Sequence, residues 1–429
     1  MNNKRPVTRN DIPEFIPYSE SISALKSELK IGNRTVPNRI CYQPMEGCDG
    51  TRDGAPDELT VRRYMRFANG GAGLIWFEAT AIVPEGRANP RQMYLSNDTL
   101  SSFSRLVADI KEHSIKSNGF EPVLICQLTH SGRWSKPNGT PSPIIAYNKP
   151  IFEKAGALSK ECIASDEYLD TLPMLYAKST ELARRAGFDG VDIKACHGYL
   201  LSELLNAYLR EGKYGGSLEN RTRLFFDATE AARSVSGGMI IASRFNAFDG
   251  YAHPYGIGDS GIPGVPDLKE AEEIARGLSK RGASLLNVTM GCPYTNNEVN
   301  RPTILAKEEA PYISIKRMID GARAVKHAAP ECAVVSSGLS FLASHAANVA
   351  AGGIENGDFD LAGFGRLNFS YPDLAKDIIN DGVMKTDKLC LTCGKCTELM
   401  RSGRTPGCVI YDKEVYGALY NEMKLADKK

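Results

Sequence analysis

The residues with the clearest chemical potential lie in one stretch, at positions 187–223. A short apolar run over residues 190–193 predicts a buried strand, and Lys194, His197 and Tyr199 follow it directly. The parallel strands of α/β proteins carry their reacting groups at the C-terminal ends. A phenol is neutral at pH 7 and can donate a proton, and an ammonium group stabilises developing negative charge. This strand end therefore predicts a site for proton transfer and charge stabilisation.

Two later strand ends predict a phosphate site. Gly338 follows an apolar run at residues 333–336, and Gly365-Arg366 follows another at residues 361–364. Glycines let backbone N–H groups approach an anion, and an arginine adds a bidentate clamp. The alternative for Gly365-Arg366 is a tight turn with a surface arginine.

Arg244 and Gln127 also end apolar runs. A buried cation at Arg244 would stabilise an anionic cofactor ring, or it would form a structural ion pair. The amide of Gln127 both donates and accepts hydrogen bonds, so it could bind the edge of a pyrimidine-like ring.

Four of the eleven cysteines are clustered near the C-terminus. The run Cys390-x-x-Cys393-x-x-Cys396 brings three thiolates to one centre, and Cys408 would close the site. This spacing is typical of a [4Fe–4S] cluster. A structural zinc site, which four thiolates also form, is the competing interpretation, and free surface thiols are the third.

Eight short apolar runs predict strands, and helical patterns lie between them. Short buried strands that alternate with helices indicate a parallel sheet, and eight repeats indicate a closed (β/α)8 TIM barrel of the α/β class. An open doubly wound sheet is the alternative. The strands are predicted at residues 39–43, 73–78, 122–127, 190–193, 239–244, 285–289, 333–336 and 361–364.

The remaining segments complete the predicted organisation. A hairpin at residues 29–36 precedes the barrel, and long connections at residues 129–165 and 245–267 leave strand ends where substrate loops belong. The predicted domains are a loose N-terminal arm (1–24), a barrel (25–383) and a C-terminal cysteine-rich extension (384–429). The helices are predicted at residues 57–69, 100–117, 166–186, 219–234, 268–281, 314–328, 340–351 and 371–380.

The composition is that of an ordinary enzyme. The formal net charge of +1 gives no electrostatic case for binding nucleic acid or an anionic membrane, and 8% aromatic residues argue against disorder. The N-terminus lacks the apolar segment of a secretion signal, and no run of about 18 apolar residues is found. We expect a cytoplasmic enzyme whose cysteines are kept as thiols.

Five motifs occur along the chain in a fixed order. They are Pro37-Asn38-Arg39-Ile40 with Pro44-Met45, Gln127-Leu128-x-His130-x-Gly132-Arg133, His197-Gly198-Tyr199-Leu200-Leu201, Tyr214-Gly215-Gly216-Ser217-x-Glu219-Asn220-Arg221, and Gly365-Arg366. In this order they resemble the motifs of the Old Yellow Enzyme family, the FMN-dependent ene-reductases. The resemblance covers about residues 25–380.

The resemblance implies a site and a reaction. Hydride from flavin N5 would reach the β-carbon of an alkene conjugated to a carbonyl, and Tyr199 would protonate the α-carbon. His197 would hold the carbonyl oxygen, and Lys194 stands where the family commonly has a second histidine. The alternatives are that Tyr199 packs under the next helix, that His197 is a satisfied core histidine, and that Lys194 pairs with Asp192 or Glu46. The residues implied to contact FMN are Pro44, Met45, Ala79, Gln127, Arg244, Gly338, Gly365 and Arg366.

The cysteine segment resembles the one that follows the barrel in trimethylamine dehydrogenase and 2,4-dienoyl-CoA reductase. Those proteins continue into a nucleotide-binding region, whereas no G-x-G-x-x-G motif follows Cys408 here. Electrons would come from NADH or NADPH at the flavin, or from a separate electron-donor protein. The expected function is reduction of a C=C bond in a small conjugated carbonyl compound. The alternatives are an amine dehydrogenase or demethylase that passes electrons to a partner protein, and a non-catalytic subunit. Assembly into a homo-oligomer is left open.

Overall fold

Eight parallel strands close into a barrel in the computed structural model, which describes residues 4–307 and 309–427. The strands pair in chain order, and the last pairs with the first through Gly363 and Cys41. They are buried on both faces, which explains why they are continuous apolar runs in the sequence. An antiparallel hairpin, β1 (Leu29–Ile31) and β2 (Arg34–Val36), precedes the barrel. The barrel strands are β3 (Ile40–Tyr42), β4 (Leu74–Ala81), β5 (Val123–Thr129), β6 (Gly190–Ile193), β7 (Ile240–Phe248), β8 (Leu285–Met290), β9 (Ala333–Ser336) and β10 (Leu361–Phe364).

Helices connect the strands. The α-helices are α1 (Glu58–Asn69), α2 (Leu100–Asn118), α3 (Asp166–Ala186), α4 (Leu200–Leu205), α5 (Leu218–Val235), α6 (Lys269–Lys280), α7 (Asn297–Asn300), α8 (Pro311–Ala328), α9 (Ala346–Glu355), α10 (Arg366–Ser370), α11 (Leu374–Asp381), α12 (Lys395–Arg401) and α13 (Ala418–Ala426). Serine side chains cap the two helices that flank β6. Ser165 accepts from the backbone N–H of Tyr168 in α3, and Ser217 accepts from that of Asn220 in α5.

The structure confirms the predicted (β/α)8 barrel, and the open-sheet alternative is wrong. Two predicted helices differ. The helix predicted at residues 340–351 starts as the 3₁₀ helix Leu339–His345, because Ala343 has a non-helical backbone (φ 57°, ψ −127°), and continues as α9. The helix predicted at residues 371–380 begins only at Leu374, as α11, because Pro372 disfavours a helical backbone at Tyr371; the preceding α10 was not predicted.

The N-terminal segment is not the loose arm that the sequence suggests. Ile12 and Ile16 are 2% and 1% exposed and belong to the main hydrophobic core. The backbone N–H of Ser19 donates to the carbonyl of Asn348 in α9, at 3.1 Å. The burial of these apolar side chains therefore fixes the segment against the barrel. The domain boundaries themselves stay predictions.

The C-terminal extension packs on the barrel through charged and apolar contacts. Arg62 and Arg66 of α1 both pair with Asp412. Leu399, Tyr416 and Met423 form a small core of their own within the extension. In the part of the chain that the structure describes, no helix is long and apolar enough to cross a membrane.

Candidate active site

A cavity of about 1060 Å³, partly open to solvent, lies at the C-terminal ends of the barrel strands. Cys396, Thr397, Met400 and Pro406 of the C-terminal extension form part of its wall. The structure brings every residue predicted for cofactor contact or catalysis to this cavity: Pro44, Met45, Ala79, Gln127, Lys194, His197, Tyr199, Arg244, Gly338, Gly365 and Arg366. Their positions follow from the parallel barrel, in which all strands end at the same mouth.

Asp192 is a buried carboxyl group that holds cavity residues in position through hydrogen bonds. It is 0% exposed. One carboxylate oxygen accepts from Trp76 Nε1 (2.9 Å) and Gln127 Nε2 (2.6 Å), and the other accepts from the backbone N–H of Arg244 (2.7 Å). Burial raises the pKa of Asp192 to about 6, against the opposing effect of these hydrogen bonds. These hydrogen bonds hold the side-chain amide of Gln127 and the backbone of Arg244 in place.

Arg244 presents a buried guanidinium group without a charged partner. The residue is 8% exposed, its Nε has no hydrogen-bond partner, and no ion pair to it is found among the described residues. Burial lowers its pKa. The structural ion pair considered as an alternative is therefore not formed. A desolvated, unpaired cation fits an anionic ligand, such as the ring of a reduced flavin.

The strand ends of β9 and β10 leave room for a phosphate group. Gly338 has φ +90°, a backbone conformation that favours glycine, and a Cβ at Gly365 would come within 3.0 Å of Met45 Sδ. The adjacent Arg366 donates to the carbonyl of Pro302 at 2.8 Å. Side chains larger than hydrogen would fill this space, so both glycines fit the close approach of an anion.

Tyr199 lies at the centre of the reactive groups. Its hydroxyl oxygen is 3.1 Å from Glu46 Oε2 and 3.1 Å from the hydroxyl of Tyr294. Burial, followed by the charge of Glu46, raises its pKa well above the usual value. The phenol is therefore neutral and able to donate a proton. It does not pack passively under a helix, because its hydroxyl lines the cavity and is hydrogen-bonded there.

Lys194 faces the cavity and makes no salt bridge within the described residues. Its Nζ lies 3.9 Å from the centre of the Tyr199 ring, a cation–π contact. Burial lowers its pKa, and the charges of Cys196 and Glu46 oppose this effect. The alternative, a salt bridge of Lys194 with Asp192 or Glu46, is not formed, because the ammonium group lies over the Tyr199 ring instead.

His197 is held in an unusual backbone conformation. Its φ is +66°, rare for a residue with a side chain, and its carbonyl accepts from Cys292 Sγ at 3.1 Å. Its Nε2 is buried without a partner. Burial, then the charges of Arg244 and Lys194, hold its pKa well below the usual range, so the imidazole is neutral. It is therefore not a satisfied core histidine, and its free nitrogen fits a ligand atom in the cavity.

Sequence reasoning did not assign roles to Glu46 and Tyr294. Tyr294 lies in the loop after β8 and stacks on Trp134, with ring centres 4.4 Å apart. The same rule that found the other site residues, inspection of strand ends, could have found Tyr294. The contact between Glu46 and Tyr199 spans 153 positions and carries no signal in the sequence.

The four clustered cysteines line a second, small cavity of about 370 Å³ that shares Arg366 and Cys396 with the first. Burial raises the pKa of Cys390 to about 11, and the charge of Arg366 opposes it. Over residues 4–307 and 309–427, no group of three or more His, Cys, Asp or Glu side chains is arranged to hold a metal ion. The structure thus gathers the four thiols around one space without confirming a metal site.

A closed barrel with two buried cations and a neutral, hydrogen-bonded phenol at its mouth defines a cofactor-dependent barrel enzyme. Residues 26–319 match the NADH:flavin oxidoreductase / NADH oxidase family. The NADPH dehydrogenase of Geobacillus thermodenitrificans is 30% identical over 262 residues, which are 60% of this chain and 70% of that protein. The chain belongs to this family and is an FMN-dependent oxidoreductase.

Solved structures share the fold. The complex of 2-naphthoyl-CoA reductase with 2-naphthoyl-CoA has a TM-score of 0.76 at 19% identity and covers 93% of this chain, which spans 58% of that one. The Old Yellow Enzyme homologue from Zymomonas mobilis has a TM-score of 0.66 at 20% identity, with 90% and 98% of the two chains covered. At such identities the likeness shows the fold alone.

Proposed function

We propose that the protein reduces a C=C bond conjugated to a carbonyl group in a small molecule, with NADH or NADPH as the electron donor. The FMN would be held by Gln127 and Arg244 at the ring and by Gly338, Gly365 and Arg366 at the phosphate, with Pro44, Met45 and Ala79 beside it. Bound there, FMN supplies hydride. The proposal rests on one observation: Lys194, His197 and Tyr199 line the same cavity.

The three side chains would have two roles: binding of the carbonyl oxygen and donation of a proton. The free Nε2 of His197 and the ammonium group of Lys194 would hold the carbonyl oxygen, where negative charge develops as hydride arrives at the β-carbon. The neutral phenol of Tyr199 would donate its proton to the α-carbon. Tyr294, which stacks on Trp134, provides an aromatic wall of the cavity for a planar, conjugated substrate.

The charges around the cavity disfavour the amine alternative. Among the described residues, the charged side chains on its wall are the cations Lys194, Arg244, Arg301 and Arg366 and one carboxylate, Glu46. An excess of positive charge repels a protonated amine and attracts an oxygen that becomes an enolate. We therefore place amine dehydrogenation or demethylation second.

We further propose a [4Fe–4S] cluster on Cys390, Cys393, Cys396 and Cys408, as in the subgroup whose cysteine segment this chain resembles. The four thiols line one cavity and provide the donor set of such a cluster. Arg366 lines the same cavity and provides a positive charge beside the cluster. The shared residue Cys396 would bring it next to the flavin site, where a separate electron-donor protein could deliver electrons. The free state of the described cysteines supports a reducing compartment, which we propose to be the cytoplasm.

The function is tested with the purified, FMN-loaded protein. We expect a yellow protein that oxidises NADH or NADPH and reduces enones, enoate thioesters or both. Tyr199→Phe should lower kcat for the alkene by about 10²-fold or more while flavin reduction by NAD(P)H stays unchanged. The matched control is Tyr176→Phe, because the Tyr176 hydroxyl is buried in α3 without a partner. A colourless protein that rejects FMN, or equal alkene turnover in both variants, would contradict the proposal.

A further inference from the structure

A buried proton donor must recover its proton before the next turnover. If Tyr199 protonates the substrate, it is left as a tyrosinate in a site where it is 2% exposed. An unpaired phenolate in such a site is costly, because burial raises the pKa of Tyr199 well above its usual value. Some neighbouring group must therefore return a proton to this oxygen.

Three polar groups surround the Tyr199 side chain, and only one is suited to this task. Lys194 Nζ lies 3.9 Å from the ring centre, over the π face, where it stabilises a tyrosinate without a hydrogen bond to its oxygen. The Tyr294 hydroxyl is 3.1 Å away, but it is a phenol and no stronger an acid than the group it would protonate. Glu46 Oε2 is also 3.1 Å from the Tyr199 hydroxyl, and it is a carboxyl group.

Glu46 has the surroundings of a carboxyl group that can carry a proton. It forms no salt bridge among the described residues. Burial raises its pKa, while Lys194 and the hydrogen bond from Tyr199 act in the opposite direction. The titratable groups that face it from the neighbouring elements are Cys48, Glu78, Lys194, Tyr199 and Tyr294.

Glu46 is more exposed to solvent than Tyr199. The residue is partly buried and lines the cavity, whereas Tyr199 is 2% exposed. Its second oxygen, Oε1, is 3.4 Å from Nδ2 of Asn89, which is itself partly exposed. One oxygen is thus within hydrogen-bonding distance of the phenol and the other is next to a partly exposed side chain, an arrangement that suits a two-step proton transfer.

We propose that Glu46 is the proton relay that restores Tyr199 after each turnover. The O–H bond of Tyr199 breaks as a C–H bond forms at the α-carbon of the substrate. The carboxyl O–H of Glu46 then breaks and the phenol O–H forms again. The Glu46 carboxylate takes a proton from solvent, so one proton from water enters the product per hydride delivered. Glu46 acts through Tyr199 and is a positioning and relay residue, and the proposal rests on the function proposed above.

The test compares Glu46→Gln with Glu46→Asp in the FMN-loaded protein, with Glu85→Gln, an exposed carboxyl outside the cavity, as the control. Flavin reduction by NAD(P)H is measured separately from flavin reoxidation by an enone, in H2O and in D2O. We expect Glu46→Gln to slow multiple-turnover alkene reduction by about tenfold or more, with a larger solvent isotope effect and unchanged flavin reduction. Glu46→Asp, which keeps the carboxyl group, should recover part of the rate, and Glu85→Gln should match the wild type.

The outcomes separate the relay from the function itself. Wild-type protein that fails to reduce any conjugated alkene refutes the proposed function. Wild-type protein that reduces enones, with Glu46→Gln within twofold of it and an equal solvent isotope effect, refutes the relay. A rate loss in Glu46→Gln without a change in the isotope effect, or without recovery in Glu46→Asp, assigns Glu46 a structural role and also refutes the relay.

Discussion

Replacement of Arg244 should have two opposite effects: it should stabilise the FMN-free protein and weaken the binding of FMN. Its guanidinium group is buried, has an unpartnered Nε, and forms no ion pair in the described part of the chain. Replacing it by methionine removes an uncompensated buried charge and keeps much of the side-chain volume. We therefore expect Arg244→Met to stabilise the FMN-free protein by about 1 kcal/mol or more.

The same change should weaken FMN binding. A hydrogen bond to a charged group contributes about 1.5–3 kcal/mol, which corresponds to roughly 10- to 150-fold in the dissociation constant. Any part of this energy that acts only on the reduced form appears instead as a more negative two-electron potential of bound FMN, by about 30–65 mV for the whole energy. Urea unfolding of the FMN-free protein and titration of FMN by fluorescence quenching measure the two effects.

Arg221→Met is the matched control. Arg221 of α5 is buried like Arg244, at 3% exposed, but it pairs with Glu270 at 2.5 Å and lies over the Tyr208 ring. Its replacement should destabilise the FMN-free protein by about 2 kcal/mol or more and leave FMN affinity unchanged. If Arg244→Met instead destabilises the protein and binds FMN as tightly as the wild type, Arg244 is structural and our assignment is refuted.

Three further predictions follow from the site. Lys194→Met should lower kcat/KM for an enone by about 10²-fold, without slowing flavin reduction by NAD(P)H, because only the developing enolate loses a cation; equal kcat/KM would contradict this. His130 is buried, and burial lowers its pKa to about 4. Below pH 6.5 the unfolded state therefore binds more protons than the folded state. The free energy of unfolding should fall by about 3 kcal/mol between pH 6.5 and pH 4. Urea unfolding of His130→Asn should show a smaller loss over the same window, and an unchanged slope would refute the reasoning. Protein prepared without oxygen should contain roughly four iron and four sulfide per chain, lowered in Cys408→Ser; zinc in their place would support the structural-zinc interpretation.

Much of the site could be predicted because it depends on one geometrical rule. Lys194 and Gly338 follow two of the strands and Arg244 lies within a third, and a parallel barrel brings these parts of its strands to one mouth. The prediction therefore required only the recognition of the strands. The roles of these residues remain predictions until the variants above are measured.

The parts that could not be predicted depend on contacts between distant segments. Ile12 and Ile16 lie in a polar stretch, and their burial depends on a core formed by residues hundreds of positions away. The direction of Lys194 was undecided in the sequence, because Asp192 and Glu46 both offered a carboxylate and only the packing of Tyr199 places the ammonium group over its ring. Periodicity and spacing carry no information on either point.

The most direct test of the central claim is the reaction of the reduced protein with an enone in D2O without oxygen. FMN-loaded protein is first reduced by one equivalent of NADPH and then mixed with the enone, and flavin absorbance and product are followed together. We expect one equivalent of saturated ketone with deuterium at the α-carbon, and a flavin that is fully reoxidised. A flavin that stays reduced in the presence of enones and enoate thioesters would contradict the account.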